Sequence, residues 1–280
     1  MNLVAIQVFC LCSLTVFVSS TTVKPFKAKG TGHPNVSIVG GSPARAGEFP
    51  YMARLFSESA MGENGLLCGG TLIGPNHVLT AAHCTAAIGN ELYLNTLSID
   101  GGRPRSVTRS VKKFIKHQNY TRDRRSKYRR HNDIAIIVLN ATVLSIAPVN
   151  LVPRSSIQLS FANKSAVVAG WGATDGSSED ESPVGLLLKT TIQIRDNKNC
   201  STYYASGNPA FFNGSIMLCS ADNAGKKDTC PGDSGGPILV NGFQVGITSF
   251  GIGCASDPGV YTRITAYLDW IAATIKSNPK

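Results

Sequence analysis

Short apolar runs recur along the chain, among them Asp133-Ile-Ala-Ile-Ile-Val-Leu139 and Ser165-Ala-Val-Val-Ala169, with clusters of Gly, Pro, Asn and Ser between them. Apolar runs of strand length bounded by turn formers predict β-strands, so the expected fold class is all-β. One convincing helical pattern interrupts it. Leu268, Ile271, Ala272 and Ile275 make an apolar stripe with Trp270 close beside it, after Thr265 as a capping residue. The pattern predicts a C-terminal helix packed on the second half of the fold.

With 280 residues the chain can build one large domain or two halves of roughly 100 residues each. The stretch Ala147-Pro-Val-Asn-Leu-Val-Pro153, with two prolines, separates two strand-rich halves, about 38–150 and about 151–280. Residues 1–20 are apolar and end in small residues, which reads as a secretory signal peptide, with no second apolar span to anchor the chain in a membrane. The polar segment 21–37, rich in Lys, Thr, Gly and Pro, reads as a pro-segment, and the folded part is expected to begin at Ile38.

Removing residues 1–20 also removes Cys10 and Cys12, leaving Cys68, Cys84, Cys200, Cys219, Cys230 and Cys254. An even number in an exported chain suggests three disulfides, with 15 connectivities open. No two of the six are spaced as a C-x2-C pair, so no metal site is expected; no cofactor is expected either.

The sequence KKDTCPGDSGGP, residues 226–237, sets Ser234 between an acid and two glycines. Alone it would be a tight turn. A serine hydroxyl becomes a nucleophile when a base takes its proton and a third group orients that base. His83, in Leu79-Thr-Ala-Ala-His-Cys84, ends an apolar strand. His33 falls in the pro-segment, and His77, His117 and His131 stand in polar, turn-like surroundings. Asp133 opens an apolar run and offers the acid.

Ile38-Val-Gly-Gly41, Leu79-Thr-Ala-Ala-His-Cys84, Asn132-Asp-Ile-Ala-Ile136 and Gly232-Asp-Ser-Gly-Gly-Pro237 occur in that order. From Ile38 to the terminal helix the chain resembles the trypsin-like, chymotrypsin-fold serine endopeptidases. The resemblance implies two six-stranded antiparallel β-barrels packed together, an active site in the cleft between them and a C-terminal helix. It implies Ser234 as nucleophile, His83 as general base and acid, Asp133 as the group orienting His83, and the N–H groups of Gly232 and Ser234 as oxyanion hole. Asp233 would pair with the α-ammonium of Ile38 once the pro-segment is cut away. Asp228 would form the floor of a pocket for Lys or Arg, walled by Ser249, Gly251 and Gly259. The implied disulfides join Cys68 to Cys84, Cys200 to Cys219 and Cys230 to Cys254. Trp171 would serve packing. The loop that binds calcium in some relatives would span Ala86 to Arg103, where Glu91 and Asp100 are the only acids, so no calcium is expected.

Three features depart from that pattern. Ser37, not Lys or Arg, precedes Ile38, so activation calls for another protease. Pro231 stands at a pocket rim where longer side chains are usual. The run Thr121-Arg-Asp-Arg-Arg-Ser-Lys-Tyr-Arg-Arg-His131 leads into Asp133. A charge run is commonly a solvated loop, yet Arg129 and Arg130 would there favour acidic substrate residues. With Arg103, Arg105, Arg109, Lys112, Lys113 and Lys116, in a chain of net charge +10, they form a basic region suited to a polyanion such as a sulfated glycan. The expected partners are therefore protein or peptide substrates with Lys or Arg at the cleaved bond and protein protease inhibitors, with a polyanion at the basic loop. Nucleic acid and membrane are not expected, and the protein is read as a secreted monomer. Asn35, Asn119, Asn140, Asn163, Asn199 and Asn213 begin N-x-S/T sequons. The competing reading is a non-catalytic binding or inhibitor protein on the same fold; it sits poorly with an intact set of His83, Asp133 and Ser234.

Overall fold

The computed structural model describes residues 38–56, 67–86, 88–101, 105–122, 130–172, 185–205, 212–222, 225 and 227–279. The expected signal peptide and pro-segment lie outside them, as does Arg129.

Six strands close the first barrel: Met52–Phe56, Leu67–Gly74, His77–Thr80, Ala135–Leu139, Val107–Lys116 and Glu91–Leu94, in that order around the ring. Every neighbouring pair is antiparallel. Leu55, Leu72, Leu79, Leu92, Leu94 and Ile136 of these strands are buried in one core cluster. Alternation is lost where both faces are covered. Ala135–Leu139 is buried at all five positions, which is why it reads as a continuous apolar run.

The second ring runs Leu188–Ile194, Ser165–Gly170, Pro237–Val240, Phe243–Phe250, Gly259–Arg263 and Met217–Ala221. It closes where Gln193 and Ile194 pair with Ala221 and Ser220. All six contacts are antiparallel. Two short strands attach outside the ring: Ser42–Pro43 against Leu188–Lys189, and Asn150–Leu151 parallel to Phe243–Gln244. The fold class is therefore the expected one: two closed six-stranded antiparallel barrels and a C-terminal helix.

That helix, Leu268–Ser277, corrects one expectation. Tyr267, not Thr265, stands at its N-cap; Thr265 lies in the preceding 3-10 turn Ile264–Ala266. Its polar contacts reach both halves of the chain: Asp269 pairs with Arg154 in the second, and the rest reach the first. Trp270 Nε1 donates to Gln118, Tyr267 OH to Asn132, and Lys113 Nζ to Asn278 Oδ1. The ring of His117 packs edge-on against Tyr267 and tilted against Trp270. The stripe specifies that one face is covered, not by what.

A second helix, Asn197–Ala205, was not expected. Its sequence NKNCSTYYA is mostly polar and carries no apolar stripe. Its start is fixed by Asp196, whose carboxylate accepts from Asn199 N–H at 2.8 Å, and its middle is held by the Cys200–Cys219 disulfide and by buried Tyr204. An acid just before a helix satisfies N–H groups that have no intrahelical partner, and Asp196 is the signal that could have revealed it.

Candidate active site

The three residues expected to carry chemistry come from three separate places. His83 lies in the 3-10 turn Ala82–Ala86 that follows strand His77–Thr80. Asp133 sits between Asn132, at φ 54°, and strand Ala135–Leu139. Because those two strands pair, with Thr80 opposite Ala135, the residues just beyond their ends become neighbours. Nδ1–H of His83 donates to Oδ2 of Asp133 at 2.7 Å, and the His83 backbone N–H donates to Oδ1 at 2.9 Å. A carboxylate only accepts, so this contact puts the proton on Nδ1 and leaves Nε2 bare.

Asp133 is 2% exposed. It also accepts from Ser249 Oγ at 2.6 Å, and its own carbonyl accepts from Thr262 Oγ1 at 2.8 Å. Burial works against its charge. The His83 imidazole, the hydrogen bonds from His83 and Ser249, and the Arg130 guanidinium outweigh that and hold it below the usual carboxylate range. Ser249 reaches Asp133 from a register break in strand Phe243–Phe250, where Thr248 faces Tyr261 and Phe250 faces Val260. Such a bulge takes one residue out of the ladder and re-aims its side chain.

Ser234 arrives from the second barrel. Its loop is tied down by Gly235 N–H to Thr248 O at 2.8 Å and Thr248 N–H to Gly236 O at 2.9 Å, and it docks on the first barrel through Gly69 N–H to Ser234 O at 2.7 Å. Sulfur Sγ of Cys84 lies 3.8 Å from His83 Nε2 and 3.7 Å from the Ser234 carbonyl oxygen. The turn carrying the imidazole and the loop carrying the hydroxyl thus share one neighbour. Among the described residues no hydrogen bond joins Ser234 Oγ to Nε2; in unliganded sites such contacts are often open and tighten with substrate.

Gly235 has φ 80°. A Cβ there would stand 2.3 Å from Gly69 O and from Thr80 Oγ1, so only glycine permits this approach of the two barrels. Gly69 and Thr80 were missed in the sequence. Their signal lies in the fold, not in the local pattern. Gly232, at φ 100°, turns the peptide ahead of Asp233. Among the described residues neither Gly232 N–H nor Ser234 N–H donates a hydrogen bond, while Asp233 N–H between them is taken by Cys230 O.

Asp233 is fully buried. It accepts from Gly172 N–H and Cys230 N–H, each at 2.9 Å. Burial pushes its carboxyl up to about 7 in spite of those two bonds. A Cβ on Gly170 would fall 2.0 Å from its Oδ1, and one on Gly172 would fall 2.7 Å from its Oδ2. The Gly-Trp-Gly stretch around fully buried Trp171 therefore makes the cavity for this acid. Ile38 is also fully buried, and Val39 bridges to Asp228 in an antiparallel pair.

Asp228, 2% exposed, accepts from Thr229 N–H at 2.8 Å and Ala255 N–H at 3.2 Å. Burial first, and then the nearby Asp233 and Asp257, push it up to about 7 against the pull of those two bonds. A Cβ on Gly259 would come 2.8 Å from its Oδ1, whereas one on Gly251 would meet nothing closer than 3.7 Å. Cys230 bonds to Cys254 alongside this loop; Cys68 bonds to Cys84, and Cys200 to Cys219. Cys68, His83 and Cys84 bring their side-chain donor atoms within 4.8 Å of one another, but both sulfurs belong to a disulfide and supply no thiolate.

Other sequence-based candidates stand apart. His77 is not in polar, turn-like surroundings: it opens strand His77–Thr80, is buried, and its Nε2 contacts Asn278 O at 2.9 Å. His117 is likewise buried, against aromatic rings. Lys112, Lys113 and Lys116 are exposed on strand Val107–Lys116, and Arg109 donates to Thr108 O and Thr142 O. Asn119, Asn140, Asn163, Asn199 and Asn213 are exposed, and Asn35 lies outside the described residues. No helix of the described residues is long and apolar enough to cross a membrane.

Residues 38–271 match the model of the family described as Trypsin. A trypsin of Xenopus laevis is 35% identical over 246 residues, covering 86% of this chain and 92% of its own. Trypsin Blo t 3 of Blomia tropicalis is 32% identical, covering 94% and 95%. A CLIP domain-containing serine protease B4 of Anopheles gambiae is 31% identical, covering 85% and 70%.

Proposed function

The chain belongs to the trypsin family of serine proteases, and on that footing we propose that it is a secreted endopeptidase, made as a precursor, that cuts peptide bonds after Lys or Arg. The observation that carries the catalytic reading is the Asp133–His83 contact at 2.7 Å, which leaves Nε2 bare beside the Ser234 loop. Nε2 takes the Ser234 proton as Oγ attacks the substrate carbonyl. The imidazolium so formed is stabilised by Asp133, and the oxyanion is received by the N–H groups of Gly232 and Ser234. Nε2 then gives the proton to the leaving amine, and water repeats the sequence on the acyl-enzyme. Each oxyanion donor contributes about 3 kcal/mol in such sites.

The raised carboxyl of Asp228 supports the specificity assignment. A buried acid without a cation is held partly protonated, and a substrate Lys or Arg above Gly251 and Gly259 supplies the missing charge. Asp233 supports the precursor assignment in the same way, with the α-ammonium of Ile38 as its counter-ion after cleavage of the Ser37–Ile38 bond. Protein substrates follow from the family; protein inhibitors, a monomeric state and glycans on exposed sequons belong to the same reading. The basic strand, with Lys112, Lys113 and Lys116 exposed, is proposed to hold a sulfated polyanion.

The test uses full-length chain processed ahead of Ile38 through an introduced protease site. Rates are measured on Arg, Lys, Phe and Ala amides, with Ser234→Ala as control. Arg and Lys amides should be cut and the control should be silent. Silence on all four substrates would establish a non-catalytic binding protein instead.

A further inference from the structure

We propose that Tyr267, at the N-cap of the C-terminal helix, is a positioning residue for the reaction: acting through Asn132, it sets the direction in which Asp133 presents its carboxylate to His83. The inference rests on the endopeptidase reading given above.

Asn132 stands at φ 54°, in the left-handed region that Asn tolerates better than most side chains. Its carbonyl oxygen accepts from Ile134 N–H at 2.8 Å, which closes a three-residue turn with Asp133 at the centre. The direction of the Asp133 side chain is therefore inherited from the Asn132 backbone. A backbone in a sparsely populated conformation persists when its surroundings hold it, and the Asn132 amide is held at both ends. Its Nδ2 donates to Asn119 O at 2.7 Å, and its Oδ1 accepts from Tyr267 OH at 2.9 Å. The Asn119 carbonyl can only accept, so Nδ2 must face it, and the Tyr267 hydroxyl must then be the donor. Burial and the negative charge of Asp133 both hold the proton on that hydroxyl, which keeps it a donor.

The same helix also holds the other side of the turn. His117 N–H donates to Ile134 O at 3.0 Å, and Asn119 N–H donates to His117 Nδ1 at 3.2 Å. The segment that receives Asn132 Nδ2 is thus also tied to Ile134. The His117 ring lies against Tyr267 and Trp270, with centroids 5.2 Å away in each case, and Trp270 Nε1 reaches Gln118. Asn132 and Ile134, which flank Asp133, are both tied to the start of the helix, directly or through His117. The two Asp133 oxygens meet three donors: Oδ1 the His83 backbone N–H, and Oδ2 both His83 Nδ1–H and Ser249 Oγ. A turn of the Asp133 backbone cannot keep all three. In a site whose rate depends on orientation, misplacement by about 1 Å can cost about 100-fold.

The experiment uses the processed full-length chain and Arg amides, with rates divided by the fraction of active sites that a covalent serine reagent titrates. Tyr267→Phe removes the hydroxyl and keeps the ring against His117; kcat should fall about tenfold while KM stays within about twofold. Asn132→Gly adopts a left-handed φ at no steric cost but deletes both side-chain contacts, and kcat should fall at least as far. The double variant should be no slower than Asn132→Gly alone, since Tyr267 acts through Asn132. Asp269→Asn removes the same helix's pair with Arg154 and should leave kcat unchanged. A kcat for Tyr267→Phe within about twofold of wild type, or a double variant in which the two losses multiply, would overturn the assignment and leave the endopeptidase reading intact. So would full kcat in Asn132→Gly, which would reduce Asn132 to a tolerated backbone shape. A wild-type chain that cuts none of the amides would overturn both.

Discussion

Asp133 grips His83 at two points, the backbone N–H on Oδ1 at 2.9 Å and the ring Nδ1–H on Oδ2 at 2.7 Å. The pair fixes both the position of the residue and the tautomer of the ring. Asp133→Asn keeps an oxygen for one contact but can present an N–H to the ring, which favours the tautomer with its proton on Nε2. On Arg amides kcat should fall about 10⁴-fold, the scale seen when this kind of triad loses its carboxylate, with KM little changed. A loss under tenfold would mean that Asp133 does not set the tautomer.

Asp228 and Gly259 test the pocket from opposite directions. Asp228→Ser removes the charge, and kcat/KM for Arg and Lys amides should drop at least about 30-fold, as for the loss of one partner of a buried ion pair. Gly259→Val keeps the charge but crowds it, since even a Cβ there stands 2.8 Å from Oδ1. Both variants should lose Arg and Lys substrates more than Ala substrates. Parallel losses on all substrates would remove the pocket assignment.

Asp233 makes stability depend on pH in a way that processing should change. Its folded carboxyl is pushed up to about 7 from an ordinary 3.8, so the native state holds the proton more tightly than the unfolded chain. Its contribution is thus fully present below the ordinary carboxylate range and is lost as pH rises through about 7. Asp228 acts in the same direction. In the Ser234→Ala background, which prevents self-digestion, unprocessed chain should lose Tm between pH 4.5 and 7.5. Processed chain should lose less, because the Ile38 ammonium then sits against Asp233. Equal losses in the two forms would argue against that ion pair.

The C-terminus closes on the first barrel through His77, which is 2% exposed and whose Nε2 meets Asn278 O at 2.9 Å. Its Nδ1 is buried without a partner. Ending the chain at Ser277 would leave the whole ring unsatisfied. The cost should be about 1–3 kcal/mol, read as a lower urea midpoint with an unchanged slope. No shift would show that water takes the place of Asn278.

Local sequence was most informative where one face or both faces of an element are covered. The buried run Ala135–Leu139 was legible as a strand, and the stripe from Leu268 to Ile275 as a helix. Helix Asn197–Ala205 was not, because its covered face is only Cys200 and Tyr204 in an otherwise polar sequence, and a capping acid and a disulfide help to hold it. His77 was misread, and the burial of His117 missed, for a related reason. Polar neighbours in sequence say nothing about Asn278, Tyr267 or Trp270, which arrive from the other end of the chain.

Residue types and their order determined which groups could act: a serine between Asp233 and two glycines, a histidine at a strand end, an acid opening a strand. Tertiary structure decided where they meet. Strand pairing carries His83 onto Asp133, a bulge turns Ser249 inward, and the missing side chain at Gly235 lets one barrel touch the other. It also decided that Arg130, one member of a charge run, leaves solvent for the Ser249 carbonyl. Composition states that a charge exists; the energy of that charge depends on what replaces water around it, and only the folded chain supplies the replacement.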